Sequence, residues 1–342
     1  MANEINWESG YTSKYYVRIV DPYSFGDREK IDITSGSIDI NSTDSLLQSA
    51  SFDCETFNND SEKWIRIYVD AYQNGNVSHI PLFTGLASSQ KTDIDSATTT
   101  QNVQCYSVLK PADDILLDIG WYAPKGRDGT DIIKNLLSVI NAPIVIEPTA
   151  DKPILKKHIL AENGETNLSM VMAILDEIQW RLTIDGSGTI ELSSIDYDPV
   201  RTIDHLKDDI IETKISIEND WFDCPNVIRV TSSEDTMAIY KDYDPLSKYS
   251  IVNRNREIWI EEDCSSLSEN DTLTDYARRK LMEKQNAMTK LSYSRRFIPN
   301  IDVTDVIRLH YPKQGIEGDY RIVSQSISLD YSIKVSEKVE EV

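Results

Sequence analysis

The sequence predicts an α+β protein, mainly β, with two small β-barrel or sandwich domains flanking a helix-containing α+β domain. Three observations predict it. Residues 63–72 alternate with the period of a strand: Ile65, Ile67, Val69 and Ala71 share one face, and Trp64, Arg66, Tyr68, Asp70 and Tyr72 the other. Between about 111 and 205 the apolar spacing lengthens to that of helices. After 206 strands return, broken by one polar helix over 271–288 in which Leu273, Tyr276, Ala277, Leu281 and Met288 recur at helical spacing. The expected domains are therefore 1–110, an N-terminal β-barrel; 111–205, the α+β insert; and 206–342, a C-terminal β-barrel with one inserted helix. A chain of 342 residues is also too long for one simple core.

In the first region, residues 15–20 are aromatic and β-branched, and Asp21-Pro22 with Gly26 marks a turn. Residues 31–40 carry apolar residues separated by Asp, Thr, Ser and Gly within this β region. Asn74-Gly75 signals a hairpin turn after the 63–72 strand, and 81–86 and 103–109 supply further strands. Aromatic residues on the polar face of 63–72 suggest a covering there, by a neighbouring subunit, or scattered surface aromatics. In the second region, Asp128-Gly129-Thr130 offers caps to a helix bearing Ile132, Ile133, Leu136, Leu137 and Ile140, which Pro143 stops. A second helix, capped by Thr166 or Asn167, bears Leu168, Val171, Met172, Leu175 and Ile178. Trp180, Leu182 and Ile184 then alternate into Asp185-Gly186-Ser187-Gly188, and Ile190 and Leu192 alternate away: a β-hairpin. In the third region strands are expected at 211–217, 225–231, 237–241 and 257–260, then after the helix at 291–297, 305–309 and 313–323. A last strand carries Val323, Ile327, Leu329 and Tyr331 on one face, and the charged tail 337–342 is expected to fray.

The balance of 35 Lys and Arg against 57 Asp and Glu gives a formal charge of −22. That argues against a specific nucleic-acid surface, which gathers cations against phosphates. Solubility is the plain reading of the acid, which does not exclude passage of DNA past an acidic wall where weak repulsion would prevent sticking. Cys54, Cys105, Cys224 and Cys264 form no CxxC pair, so neither disulfide scaffold nor zinc site is expected, but buried small side chains in a reducing cytoplasm. The first eight residues lack the basic and apolar parts of a signal peptide, and no apolar run approaches the roughly 20 residues of a membrane span.

Chemistry is sparse. His79, His158, His205 and His310 each stand alone in the sequence, outside HExxH, HxH or HxxE spacing. There is no GxSxG elbow and no GxxxxGK[ST] loop. Carboxylates are many: Asp93 with Asp95, Asp113 with Asp114, Asp196 with Asp198, Asp208 with Asp209, Asp242 with Asp244, and Glu261, Glu262 and Asp263. A glycosidase needs two held across a sugar cleft, and calcium needs a denser oxygen loop than Asp242-Tyr243-Asp244. These acids read as solvated turns. No catalytic, cofactor-binding or metal-ligating residue is assigned. The repeat of Asp196-Tyr197-Asp198-Pro199 as Asp242-Tyr243-Asp244-Pro245 is taken as chance.

Several local patterns carry a resemblance. Thr130-Asp131-Ile132-Ile133-Lys134-Asn135-Leu136-Leu137 opens the first helix of the insert. Glu165-Thr166-Asn167-Leu168 opens the second, which closes on Gln179-Trp180-Arg181-Leu182 and Asp185-Gly186. Ile307-Arg308-Leu309 is followed by Gly315-Ile316-Glu317-Gly318-Asp319-Tyr320-Arg321-Ile322-Val323. In this order the chain, over most of residues 13–332, resembles the baseplate hub proteins of tailed phages, and among them the XkdQ-type hub of PBSX-like prophages, which lacks an appended lysin. Such hubs often have Gly-Asp before the first C-terminal strand, whereas this chain has Thr304-Asp305, keeping the Asp but changing the turn.

The resemblance implies a homotrimer in which each chain supplies two related barrels, so that three chains imitate a six-fold ring. That ring would join the hexameric tail tube or its initiator above to a three-fold spike or tip below, touching other baseplate proteins and the tape-measure protein. It implies no enzyme activity, and assembly from the bacterial cytoplasm into the baseplate of a phage, a contractile injection system or a tail-derived bacteriocin. Two further readings stay open. A carbohydrate-binding receptor module is suggested by 17 Tyr and 6 Trp, and a peptidoglycan hydrolase would need a carboxylate pair in a groove.

Overall fold

Of the residues that alternate along 63–72, Ile65, Ile67, Val69 and Ala71 are all 0% exposed in the computed structural model of the chain, and Arg66 and Asp70 on the other face are buried as well. The structure describes residues 5–58, 60–95, 99–150, 152–208, 210–219, 221–232, 236–264, 272–286, 288–330 and 333–342. It is mainly β, 49% strand against 15% helix, and divides into two units. The first comprises Met1–Asp196, Ser294–Thr304 and Val323–Glu337, and the second Tyr197–Tyr293, Asp305–Ile322 and Lys338–Val342.

Unit one begins with seven strands: β1 (Thr12–Val20), β2 (Asp27–Asp32), β3 (Ser35–Asn41), β4 (Gln48–Cys54), β5 (Lys63–Gln73), β6 (Asn76–Ile94) and β7 (Thr99–Ser107). They lie in the order β3-β4-β7-β6-β5-β1-β2, every neighbour antiparallel. The β5–β6 hairpin turns on Asn74 (φ 50°) and Gly75 (φ 84°), the two left-handed residues that a tight two-residue loop requires. Ile38, Phe52, Ile67 and Phe83 meet Phe297, Leu329 and Val335 in the core beneath these strands.

Two details are new here. The stretch 31–40, read only as part of a β region, is divided between two strands, because β2 pairs with β1 whereas β3 pairs with β4. The backbone N–H of Thr34, between them, donates to Asp53 O. Strand β4 was not foreseen: Gln48, Ala50, Phe52 and Cys54 alternate inward, but their small and polar neighbours hide the pattern.

The chain continues through α1 (Lys110–Asp113), β8 (Tyr122–Ala123), α2 (Gly129–Leu136), β9 (Ile144–Ile146), β10 (Ile159–Leu160), α3 (Asn167–Ile178), β11 (Trp180–Ile184) and β12 (Ile190–Ser194). Asp128 caps α2 by accepting from the Thr130 N–H. At α3 the Thr166 hydroxyl accepts from the Ser169 N–H, and the Ser169 hydroxyl accepts from the Thr166 N–H, a closed capping box. Thr166→Ala is expected to cost about 1 kcal/mol, read as a fall of a few degrees in the thermal midpoint. The predicted hairpin forms as β11–β12. Strand β9, too short to announce itself, adds parallel to β12. Ile133, Leu137, Leu168, Met170, Ile174 and Ile190 are the centre of this second core, all 0% exposed.

Unit two holds β13 (Pro199–Asp204), β14 (Ile211–Asn219), β15 (Val227–Ser232), β16 (Met237–Lys241), α4 (Ile251–Arg254), β17 (Trp259–Cys264), α5 (Leu273–Asn286) and β19 (Val306–Tyr311). The unit boundary falls inside β18 (Thr289–Arg296), β20 (Ile316–Ser328) and β21 (Lys334–Glu341). The order is β14-β18-β21-β20-β19-β13, with β13 parallel to β19. Separately, β16-β15-β17 forms a small mixed sheet whose Ile228, Val230 and Cys264 pack on Ala277 and Leu281 of α5.

The tail expected to fray is instead the end of β21, where Glu337 is 2% and Val339 0% exposed. Its alternating Val335, Glu337 and Val339 are a strand pattern with one buried acid in it, which disguises it as a solvated tail. The two strands expected across 313–331 are the single β20. Asp271 and Tyr331 lie outside the described residues. A closed barrel does not form among the described residues: β2, β13 and β14 each have a neighbour on one side only.

Candidate functional site

Two buried arginines organise the polar interior of unit one. Arg66, on β5, is 7% exposed. Its Nε donates to Thr84 Oγ1 at 2.8 Å, its Nη1 to Asp27 Oδ1 at 2.7 Å, and its Nη2 to Phe25 O at 3.2 Å and Ser187 O at 2.7 Å. The Thr84 hydroxyl in turn donates to Gly186 O at 2.8 Å. The tip of the β11–β12 hairpin is thereby held on the β5–β6 face. A Cβ on Gly186 would lie 2.0 Å from Pro81 O, so only glycine permits that approach. The polar face of β5 is thus covered from within the chain at Trp64 and Arg66. Trp64 packs on Phe25, and Tyr68 stacks on Tyr16 at 5.2 Å.

The second cluster centres on Arg295 and Glu337, whose side chains are 1% and 0% exposed. Arg295 Nε and Nη2 both donate to Glu337 Oε1, at 2.9 and 2.7 Å, and Gln325 Nε2 donates to the same oxygen at 2.7 Å. Gln325 Nε2 and Arg295 Nη2 also donate to Ile301 O. Arg295 and Gln325 line a cavity of about 260 Å³ together with Gln48, Phe297 and Gly186. Burial pushes the Tyr11 and Tyr15 hydroxyls up to about 12, and they donate to Phe297 O and Asp330 O, which makes them ties between segments. No motif in the sequence marks Arg66, Thr84, Arg295, Gln325 or Glu337. The one available signal, for Arg295 and Glu337 alone, was a charged residue on the inward phase of a strand.

The carboxylate pairs are dispersed into local roles. Asp113 and Asp114 share Lys110, at 2.9 and 2.6 Å. Asp93 meets Lys91. Asp242, 6% exposed, accepts from the Asp244 N–H, the Ser247 hydroxyl and Gln285 Nε2, pinning its loop. Glu261 meets Arg229 and Glu262 meets Lys284, while Asp263 accepts from Thr231. Asp208 accepts from the Asp204 N–H; Asp209 lies outside the described residues. Asp196 and Asp198 fall on either side of the unit boundary. In unit two, Arg308 holds Asp319 through two bonds of 2.6 and 2.7 Å, and that contact keeps the Asp319 carboxyl below its ordinary range.

The histidines are less isolated than the sequence suggests. His205 Nδ1 lies 2.9 Å from His310 O, their rings are 6.0 Å apart, and His310 Nδ1 sits 3.0 Å from Glu317. The parallel β13–β19 register brings them together. His79 bonds Asp70 at 2.6 Å, and His158 Nδ1 accepts from the Lys125 N–H. Among the described residues no group of three His, Cys, Asp or Glu could hold a metal ion. All four cysteines are buried, and burial raises the Cys105 thiol well above its ordinary value. Two open grooves of about 580 and 620 Å³ share Lys30, Asp32, Ile33 and Thr34 and mix both signs of charge. No helix among the described residues is long and apolar enough to cross a membrane.

No family model and no curated protein matches the chain. Solved structures do. A tail protein from Neisseria meningitidis MC58 superposes with a TM-score of 0.69 at 16% identity, covering 97% of both chains. The 43 kDa tail protein of prophage MuSo2 from Shewanella oneidensis gives 0.64 at 12% identity, covering 96% of this chain and 98% of that one. The E. coli c3393 protein, a type VI secretion component described as structurally similar to T4 bacteriophage tail proteins gp27 and gp5, gives 0.54 at 11%, covering 95% of this chain and 76% of that one. Likeness at such identities speaks for architecture: from end to end, this chain has the fold of phage and prophage tail proteins.

Proposed function

We propose that this chain is the structural hub of a phage-type tail baseplate, a homotrimeric adaptor joining a hexameric tail tube to a three-fold spike or tip. The observation that carries the reading is the end-to-end likeness to tail proteins of nearly the same length, with 97% of both chains covered. The interior supports it. The buried charged groups of unit one bind one another and the backbone of distant segments, which stiffens a scaffold. Strands β2, β13 and β14 keep an open side, an aggregation hazard in a lone chain that a neighbouring copy would cover. In this reading the chain has no catalytic role, its domains divide near residues 110 and 205, and it works as an XkdQ-type hub does. Native mass measurement tests it, on the purified chain alone and mixed with the tube and spike proteins encoded beside it. The expected species is three copies of the chain, capped by a spike trimer. A chain that stays monomeric in every mixture overturns the proposal.

A further inference from the structure

The α+β part of unit one carries an exposed ribbon that neither arginine cluster uses. Residues 116–127 run antiparallel to 154–166: Leu116 bridges Thr166, Tyr122 pairs with Leu160, the Lys125 N–H donates to His158, and the Gly126 N–H donates to Leu155 O. Leu117, Trp121, Ala123, Leu155 and Ile159 on this ribbon pack on the core, while other apolar side chains face outward. Ile119 is 96%, Leu160 71% and Tyr122 51% exposed. Tyr122 and Leu160 stand directly opposite each other, so their side chains leave the same face.

Charge is sorted along the ribbon in an otherwise acidic chain. Asp118, Glu162 and Glu165 lie at the Ile119 end, and Lys125, Arg127 and Lys156 at the other, with Tyr122 and Leu160 between. Neighbouring cations are already committed, Lys152 to Asp128 and Lys157 to Glu177. Among the described residues, none of the six sorted charges is in an ion pair. A strip with acid at one end, base at the other and an apolar centre is complementary to itself when reversed.

We propose that this ribbon is a two-fold contact between two copies of the chain. A two-fold axis near Tyr122 sets Lys125, Arg127 and Lys156 of one copy against Asp118, Glu162 and Glu165 of the other, and the same pairing repeats across the axis. The apolar centres then cover each other. An anionic lipid surface is the poorer occupant, since burying Ile119 would carry Asp118 into like charge. The ribbon is small beside the roughly 1,200 Å² that stable interfaces bury. The contact is therefore weak in isolation and gains strength where other contacts already hold copies together. It does not rest on the three-fold reading, because its symmetry is different.

Sedimentation of the full chain across a concentration series, at about 0.05 M and about 0.5 M salt, tests it. A dimer is expected at low salt, with an apparent Kd at least about tenfold weaker at high salt. Lys125→Glu with Lys156→Glu should abolish self-association, as should Glu162→Lys with Glu165→Lys, and mixing the two variants should restore a heterodimer. Tyr122→Ser should weaken the wild-type dimer. Absence of any low-salt dimer, self-association unaltered in the reversed variants, or failure of the mixture overturns the contact. So does binding to phosphatidylglycerol vesicles without self-association. Trimers untouched by charge reversal would sink this contact and leave the hub reading standing, whereas a charge-swappable dimer with no trimer would do the opposite.

Discussion

Replacing Glu337 by Ala is expected to destabilise unit one by about 3–5 kcal/mol, the usual cost of stranding one partner of a buried ion pair. Arg295 is 2% exposed, so without the carboxylate its charge is left in a largely buried site with no opposite charge beside it. Two of its bonds end on Glu337 Oε1, as does one from Gln325. In a unit of this size the thermal midpoint should fall by about 10 °C. The test has a second arm. Removing both charges, with Arg295→Met and Glu337→Leu together, should recover much of the loss, because well-packed apolar groups often replace a buried pair without penalty. Recovery will be partial, since Ile301 O keeps only its bond from Gln325. A double variant as unstable as the sum of the two single variants would show that the pair is not a unit of stability.

Gly186→Ala is expected to undock the β11–β12 hairpin. The added carbon would sit 2.0 Å from Pro81 O and 2.5 Å from Pro81 C, both backbone atoms that no side-chain rotation can move aside. Overpacking costs about 1–3 kcal/mol. Lifting the tip also removes Ser187 O from Arg66 and Gly186 O from Thr84, leaving buried donors short of partners at a similar cost. Hydrogen exchange should show the amides of 180–193 losing protection first, with the midpoint falling by several degrees. Ser187→Ala is the control. Its hydroxyl bonds only Asp185 and Thr189 at the exposed turn, so it should change stability by less than about 0.5 kcal/mol. Equal protection in Gly186→Ala and wild type would refute the docked tip.

Local patterns made much of this fold readable. The 63–72 strand, the Asn74-Gly75 turn, the Asp128 and Thr166 caps and the 180–192 hairpin each express a rule within about ten residues. What was missed fails the same rule. Strand β9 has three residues, β4 alternates with serine and aspartate, and β21 places Glu337 on the inward phase. The acid pairs were read as solvated turns, and Asp93, Asp113, Asp114, Glu261 and Glu262 sit in ion pairs, whereas the buried clusters join positions 121 and 42 residues apart that nothing links in sequence.

By itself, then, the sequence determined the mainly β character, the two capped helices of the insert and the position of the docking hairpin, since periodicity and turn chemistry are short-range properties of the backbone. Only the tertiary structure decided which strands neighbour which, that the strand paths stay open instead of closing into barrels, and which charges go inside. Those outcomes depend on hydrogen bonds between distant segments and on burial, and both exist only once the segments have met.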